Sequence, residues 1–244
     1  MTYHGTNSWL VDWSGGTAVI DPGVEDRGHL EAILREAAGR LTHVIVSHTH
    51  RDHLAGAETL AREAGIPTAA YRDGPDTEFD PDLKLDDGDE VAGLRVLHTP
   101  GHAMDHLCFL HPEGILFTGD HVMGWSTSVV PPPPYGDLSA FLHNLERVRS
   151  LDARLMLSGH GPAIEHPQRT MDALIEHRLA REASILACLD HHPRPVDDLL
   201  ARTYRTVRPD LLRAARNNLL AHLRKLEAEG RALEGPDGWR SSAT

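Results

Sequence analysis

Residues 47–53 read "SHTHRDH", directly after the apolar run "HVIV" at 43–46. Imidazole and carboxylate groups crowded into one turn cost desolvation unless something binds them. His48 and His50 stand two apart at the end of an extended run, so their side chains project to the same side. Asp52 and His53 follow at the mouth of the next helix. Zinc takes such ligands at about 2.0–2.2 Å in a roughly tetrahedral arrangement. The cluster suits one metal ion or two adjacent ones. Taken alone, Asp52 reads as the cap of a helix starting near Leu54.

Three further residues of ligand type recur in one local setting: His102 in "LHTPGH", Asp120 in "LFTGD" and His160 in "LMLSGH". In each, an apolar strand runs into a short turn and the polar residue directly follows a glycine. If these strands share a sheet, their ends gather the ligands at one edge, where folds place their chemistry. Either histidine alone reads as an ordinary turn residue; the set together reads as a metal site. The other histidines read as surface or packing residues, with His106 and His121 nearest the ligand turns.

Working outward, short apolar runs at 8–11, 17–21, 43–47, 95–99, 107–110, 114–118 and 154–158 read as strands. Helical patterns lie between several of them, one closing on Gly39, one on Gly65, and one opening on Asp137 as N-cap. Interleaving of this kind argues for a layered α/β fold. From about residue 168 the pattern becomes nearly all helix. A long helix ends before "PRP" at 193–195, a short one begins at Val196, and a third carries Leu212, Ala215, Leu219, Leu223 and Leu226 on one stripe. The tail "RALEGPDGWRS" suggests a hairpin. The expected domains are 1–167, catalytic, and 168–244, resembling a winged helix.

Residues 1–167 hold 11 Lys/Arg against 25 Asp/Glu, a charge of −14, whereas residues 168–244 hold 13 against 11. An acidic front half does not look like a polyanion-binding surface. Cys108 and Cys188 are eighty residues apart with no CxxC pattern and read as small buried apolar residues. No signal peptide is visible and no apolar run approaches the ~20 residues of a membrane span. A cytoplasmic protein is expected, with no membrane partner; a homodimer is left open.

"HTHRDH", with "GH" at 101–102, "GD" at 119–120 and "GH" at 159–160, resembles the metallo-β-lactamase-fold hydrolase superfamily over roughly residues 5–165. The resemblance implies an αββα sandwich with two zinc ions, iron or manganese being tolerated by the same ligands. It assigns His48, His50 and His102 to the first metal, Asp52, His53 and His160 to the second, and Asp120 to the bridge. Asp21 in "IDPG" supports the metal loops from outside. "TYHGTNSWLV", "TPGHAMDHLCF" and "SGHGPAIEHP" resemble the branch with a C-terminal winged helix, which includes the lactamase-beta-like endoribonuclease. Relatives there carry a further strand before "GTN", so either the sheet lacks an edge strand or the start codon is misplaced.

Two metal ions sharing a water lower its pKa towards neutrality, giving hydroxide at ordinary pH. Asp120 would fix it and Asp52 help to orient it. The expected substrate is a small ester, thioester or lactam. The alternative is RNA, cut by an endoribonuclease. A metal-sensing DNA-binding regulator is the remoter reading, because Glu227 and Glu229 dilute Arg213, Arg216, Arg224 and Lys225 on the third helix.

Overall fold

Alternation along the strands builds two sheets that share one core. The computed structural model describes residues 4–74 and 78–242. Its first half runs β1 (Trp9–Trp13), β2 (Gly16–Ile20), α1 (Arg27–Glu36), β3 (Leu41–Ile45), α2 (Arg51–Leu54), α3 (Ala57–Ala64), β4 (Thr68–Tyr71) and β5 (Leu83–Leu85). These strands form one sheet in sequence order, antiparallel between β1 and β2 and parallel from β2 to β5. The second half runs β6 (Glu90–Val91), β7 (Leu94–His98), β8 (Leu107–Leu110), β9 (Ile115–Gly119), α4 (Leu138–Arg149) and β10 (Leu155–Ser158), its sheet ordered β10-β9-β8-β7-β6.

The period of two sorts the strand residues between layers. Ala18, Ile20 and Ile45 of the first sheet meet Val96, Leu107, Phe109 and Phe117 of the second in a shared core. Their neighbours Val19, Val44 and Val46 face outward under α1 and α3. Leu97, Cys108 and Leu116 face the other way under α4. Each fully buried Leu or Phe in these layers stabilises by about 1.5–3 kcal/mol. The result is the expected αββα sandwich. Asp137 caps α4, accepting from Ala140 N at 2.8 Å.

The C-terminal unit comprises α5 (Pro167–Leu186), α6 (Val196–Thr203), a 3-10 turn (Pro209–Leu211), α7 (Leu212–Ala228), β11 (Ala232–Gly235) and β12 (Gly238–Ser241). The expected hairpin forms, and Arg194 joins it through paired backbone bonds with Trp239. Trp239 is fully buried among Ile185, Leu199, Leu219, Leu223 and Leu226. The first half of α5 places Met171 and Leu174 in the sandwich's outer layer, while Ile185 near its end lies in this second core. One helix therefore belongs to both.

Two expectations about elements change. β4, β5 and β6 are strands that no apolar run announced. The single helix expected over 54–65 is two, broken at Gly56, whose N–H bonds to Gly23 O at 2.9 Å. Residues 1–3, the start of the N-terminal stretch compared with relatives above, lie outside the described residues. Among those described, β1 forms the sheet edge. No described helix is long and apolar enough to cross a membrane.

Candidate metal centre

β7 and β9 are both antiparallel to β8, and β10 is parallel to β9, so the three run in one direction. His102, Asp120 and His160 all follow the C-terminal ends of these strands, and the "SHTHRDH" turn follows the C-terminal end of β3. The structure brings all seven expected residues together. Donor atoms of His48, His50 and His102 lie within 4.8 Å of one another, as do those of Asp52, His53 and His160, and those of His48, His53 and Asp120. Asp120 Oδ2 stands 3.5 Å from His102 Nε2, while Oδ1 stands 3.4 Å from His160 Nε2 and 3.6 Å from His53 Nε2. Its two oxygens face two different nests.

The hydrogen-bond partners settle which ring nitrogens carry lone pairs. A carbonyl only accepts, so His102 Nδ1–H donates to Val129 O at 2.7 Å and His160 Nδ1–H to Gly5 O at 3.0 Å. Ser47 Oγ donates to Asp21 Oδ2 at 2.7 Å, which leaves it to accept from His48 Nδ1 at 3.0 Å. In their neutral forms, His48, His102 and His160 therefore all aim Nε2 lone pairs inward. His48 Nε2 and His102 Nε2 lie 2.9 and 3.0 Å from the same atom, His50 Nδ1, which can carry only one proton. At least one lone pair faces another. His53 Nε2 and Asp120 Oδ1 are buried without a hydrogen-bond partner among the described residues. Converging lone pairs, orphaned acceptors and facing carboxylates fit divalent cations, and the donor set of imidazole and carboxylate suits them.

Electrostatics run in the same direction. Burial first, and then the neighbouring imidazoles, push His48 well below the usual range and His50 down to about 4, keeping both neutral. When protonated, His160 also donates through Nε2 to Asp52, and that bond is the main reason Asp52 is held well below the ordinary carboxylate range. Burial alone would depress His53, but Asp21, Asp120 and Asp52 outweigh it and raise the imidazole to about 9. A cation entering this nest replaces that proton.

Residues outside the seven hold them in place. Asp21, expected to support the loops, accepts from Ser47 N at 2.7 Å and from His53 Nδ1 at 2.8 Å. His106, read from sequence as packing, is instead wired to Asp120. It is fully buried, its Nε2 accepts from Asp120 N at 3.1 Å, and its Nδ1 meets Thr99 Oγ1 at 2.9 Å. Asp105 was also missed. It accepts from both Thr49 N at 2.8 Å and Thr49 Oγ1 at 2.7 Å, tying the loop of His102 to the residue between His48 and His50. The "GTN" at 5–7 wraps the end of β10: Thr6 donates to Asp52 O at 2.7 Å and Asn7 to Ser158 O and Gly161 O at 3.0 and 2.8 Å. The signals were present, in "GHAMDH" and "HGTN", but nothing local says that they fold back on a ligand.

A cavity of about 390 Å³ opens over the centre. His50, Asp52, His102, Asp120 and His160 form one side; Leu211, Arg213 and Asn217 at the start of α7 form the other. The C-terminal unit packs on the rim of the site. Two of its cations on α7 are engaged. Arg224 pairs with Glu227 and Glu234, and Lys225 with Glu182 and Glu229.

Sandwich, strand-end nests and covering helices define a metal-dependent hydrolase. Residues 1–160 match the metallo-beta-lactamase superfamily and residues 196–239 the beta-lactamase associated winged helix domain. The chain belongs to the metallo-beta-lactamase superfamily. It is 30% identical to the beta-lactamase-like protein 2 homolog of Drosophila melanogaster, over 95% of this chain and 85% of that one. An atrochrysone carboxyl ACP thioesterase of Emericella nidulans is 32% identical over 76% of this chain and 61% of its own length. Among solved structures, a metallo-beta-lactamase family protein from Thermus thermophilus superposes with a TM-score of 0.79 at 27% identity, covering 96% of this chain and 92% of that one.

Proposed function

We propose that the protein is a two-metal hydrolase of small acyl substrates, with a thioester as the leading bond and an ester or lactam next. In this reading His48, His50 and His102 hold one divalent cation, Asp52, His53 and His160 hold the second, and Asp120 spans both. The observation that carries it is the division of the Asp120 carboxylate between two nests, 3.5 Å from His102 on one side and 3.4 Å from His160 on the other. Zinc is the metal of choice for imidazole and carboxylate ligands, with iron or manganese next. The bound pair supplies an acidified water and draws charge from the scissile carbonyl.

The chain's own part is positional. Asp120 accepts a hydrogen bond from the attacking water and fixes it between the nests. Asp52, partly exposed to the cavity and held ionised, would accept a hydrogen bond from that water and orient it. The carbonyl of Val129 keeps His102 in the tautomer that points Nε2 inward. No side-chain nucleophile is needed, and Cys108 could not serve: burial pushes its thiol up to about 12.

Three observations support an acyl substrate: the −14 charge of residues 1–167, the modest cavity and the likeness to a thioesterase. Arg213 on the cavity wall is what favours the second reading, cleavage of RNA. A panel on metal-loaded protein decides between them: a chromogenic lactam, a glutathione thioester, an aryl ester, a bis-aryl phosphodiester and single-stranded RNA. Turnover of the thioester with little salt dependence is expected. Turnover confined to RNA, falling steeply with salt, would replace this reading by the nuclease. A cytoplasmic setting and a monomer or homodimer belong to the same proposal.

A further inference from the structure

A second cavity lies on the other side of the α7 start, and nothing in the reaction uses it. It measures about 220 Å³ and is lined by Ser126, Thr127, His177, Arg178, Arg181 and Tyr204, among others. Leu211 and Ala214 line both it and the cavity over the metal centre, so the two adjoin. Among the described residues, no acidic one lines it. That is unexpected in a chain with 36 Asp and Glu and a net charge of −12.

Arg178 is only 3% exposed. Its guanidinium donates to Ser128 O and to Asn218 Oδ1, both neutral, and lies 5.2 Å from the Phe141 ring. Its Nε is buried without a partner among the described residues. Burial pulls its pKa down to about 10. Arg181 donates to Thr203 O and stacks on Tyr204 at 4.2 Å, again with no carboxylate among the described residues. Burial, and then these two arginines, depress His177 as well. Buried charges are ordinarily paired or coordinated, because an unpaired one keeps its desolvation cost. Two guanidiniums with hydroxyls beside them and no counter-ion are the donors that a phosphate takes.

We infer that this cavity is a phosphate subsite for the leaving arm of the substrate, whose acyl carbon sits at the metal centre. The inference rests on the acyl-hydrolase reading and narrows it to thioesters or esters with a remote phosphate on the alcohol or thiol side. Arg181 is the residue to test, since it is partly exposed and, unlike Arg178, holds no part of the 128–130 loop.

Calorimetric titration of metal-loaded full-length chain with methyl phosphate tests the subsite. Binding should survive His50→Ala, which damages the metal centre, and weaken tenfold or more in Arg181→Met, with Arg181→Lys between. Equal affinity in wild type and Arg181→Met would overturn the subsite. Kinetics test the arm, using S-acetylpantetheine and S-acetyl-4′-phosphopantetheine. Wild type should favour the phosphorylated compound at least tenfold in kcat/KM, through KM, and Arg181→Met should bring the ratio to about one. A wild-type ratio near one overturns the arm and leaves a free-phosphate site. Loss of RNA cleavage in Arg181→Met with both thioesters unaffected overturns it in favour of RNA. If neither thioester turns over, the acyl reading falls and the arm with it, while Arg181-dependent binding of methyl phosphate still upholds the subsite.

Discussion

One backbone N–H governs where the Asp120 carboxylate sits. Asp120 N donates to His106 Nε2 at 3.1 Å, and the Asp120 carbonyl accepts from Ser128 Oγ at 2.5 Å. Burial keeps His106 neutral, so its ring can accept. Replacing it by leucine leaves the N–H unpaired and frees the residue to rotate. His106→Leu is expected to lower metal affinity and kcat about 10–100-fold, with His106→Gln restoring part by offering a carbonyl. Metal titration of the three proteins checks this, and unchanged affinity in the leucine variant would count against it. His50→Ala and Asp120→Ala should abolish turnover in folded protein; elemental analysis should show metal content below that of wild type.

At the scale of an element, each ligand turn depends on how close its strand end comes to the next. A Cβ on Gly159 would lie 2.7 Å from His53 Cε1 and 3.0 Å from Asp120 Oδ1. One on Gly119, which adopts φ +45°, would lie 2.7 Å from His106 Nε2. This is the physical reason the polar residue follows glycine at the ends of β9 and β10. Gly159→Ala must displace His53 and is expected to cost about 1–3 kcal/mol, with metal loss from the Asp52–His53–His160 nest. A thermal melt and a metal count together read both effects. By contrast Asp137→Ala, which removes the side-chain cap of α4 but keeps the backbone bond from Asp137 N to Gly101 O, should cost about 1 kcal/mol and leave metal content intact.

On the scale of the whole molecule, α5 is the beam between the two cores, and Glu182 pins its second half. Its carboxylate meets Lys225 Nζ at 2.8 Å and Arg231 Nη1 at 3.0 Å. Burial alone would raise it, but His222 Nδ1 beside it and the hydrogen bond and charge of Lys225 outweigh this and bring it down to about 2. A depressed carboxylate contributes stability that is full above its ordinary value of 4.5 and is lost as pH falls towards 2. His222, kept neutral by burial, loses stability in the same direction below 6.5. Glu182→Gln should therefore lower Tm by about 4–8 °C near neutrality, taking about 2 kcal/mol for the pair. The gap between variant and wild type should narrow between about pH 5 and pH 3. A constant gap would show that the carboxylate's charge is not what matters.

The sequence by itself determined the layered α/β core and the seven residues that gather at its strand ends, because each is encoded locally; the αββα order and the supporting role of Asp21 came from the family resemblance. A strand's period of two sorts its faces, and a glycine followed by a ligand marks its end. It determined the terminal hairpin for the same reason. Only the tertiary structure made strands of Thr68–Tyr71 and Leu83–Leu85. "TAAY" and "LKL" carry too little apolar signal, and they become strands by pairing with β3 and with each other, helped by Asp82 accepting from Thr68 N at 2.8 Å. Tertiary structure also turned His106 and Asp105 from loop residues into supports, and swung Arg213 over the metal cavity and Arg181 to the cavity beside it. Those contacts join residues tens of positions apart, and no local pattern records a distance that only the packed chain creates.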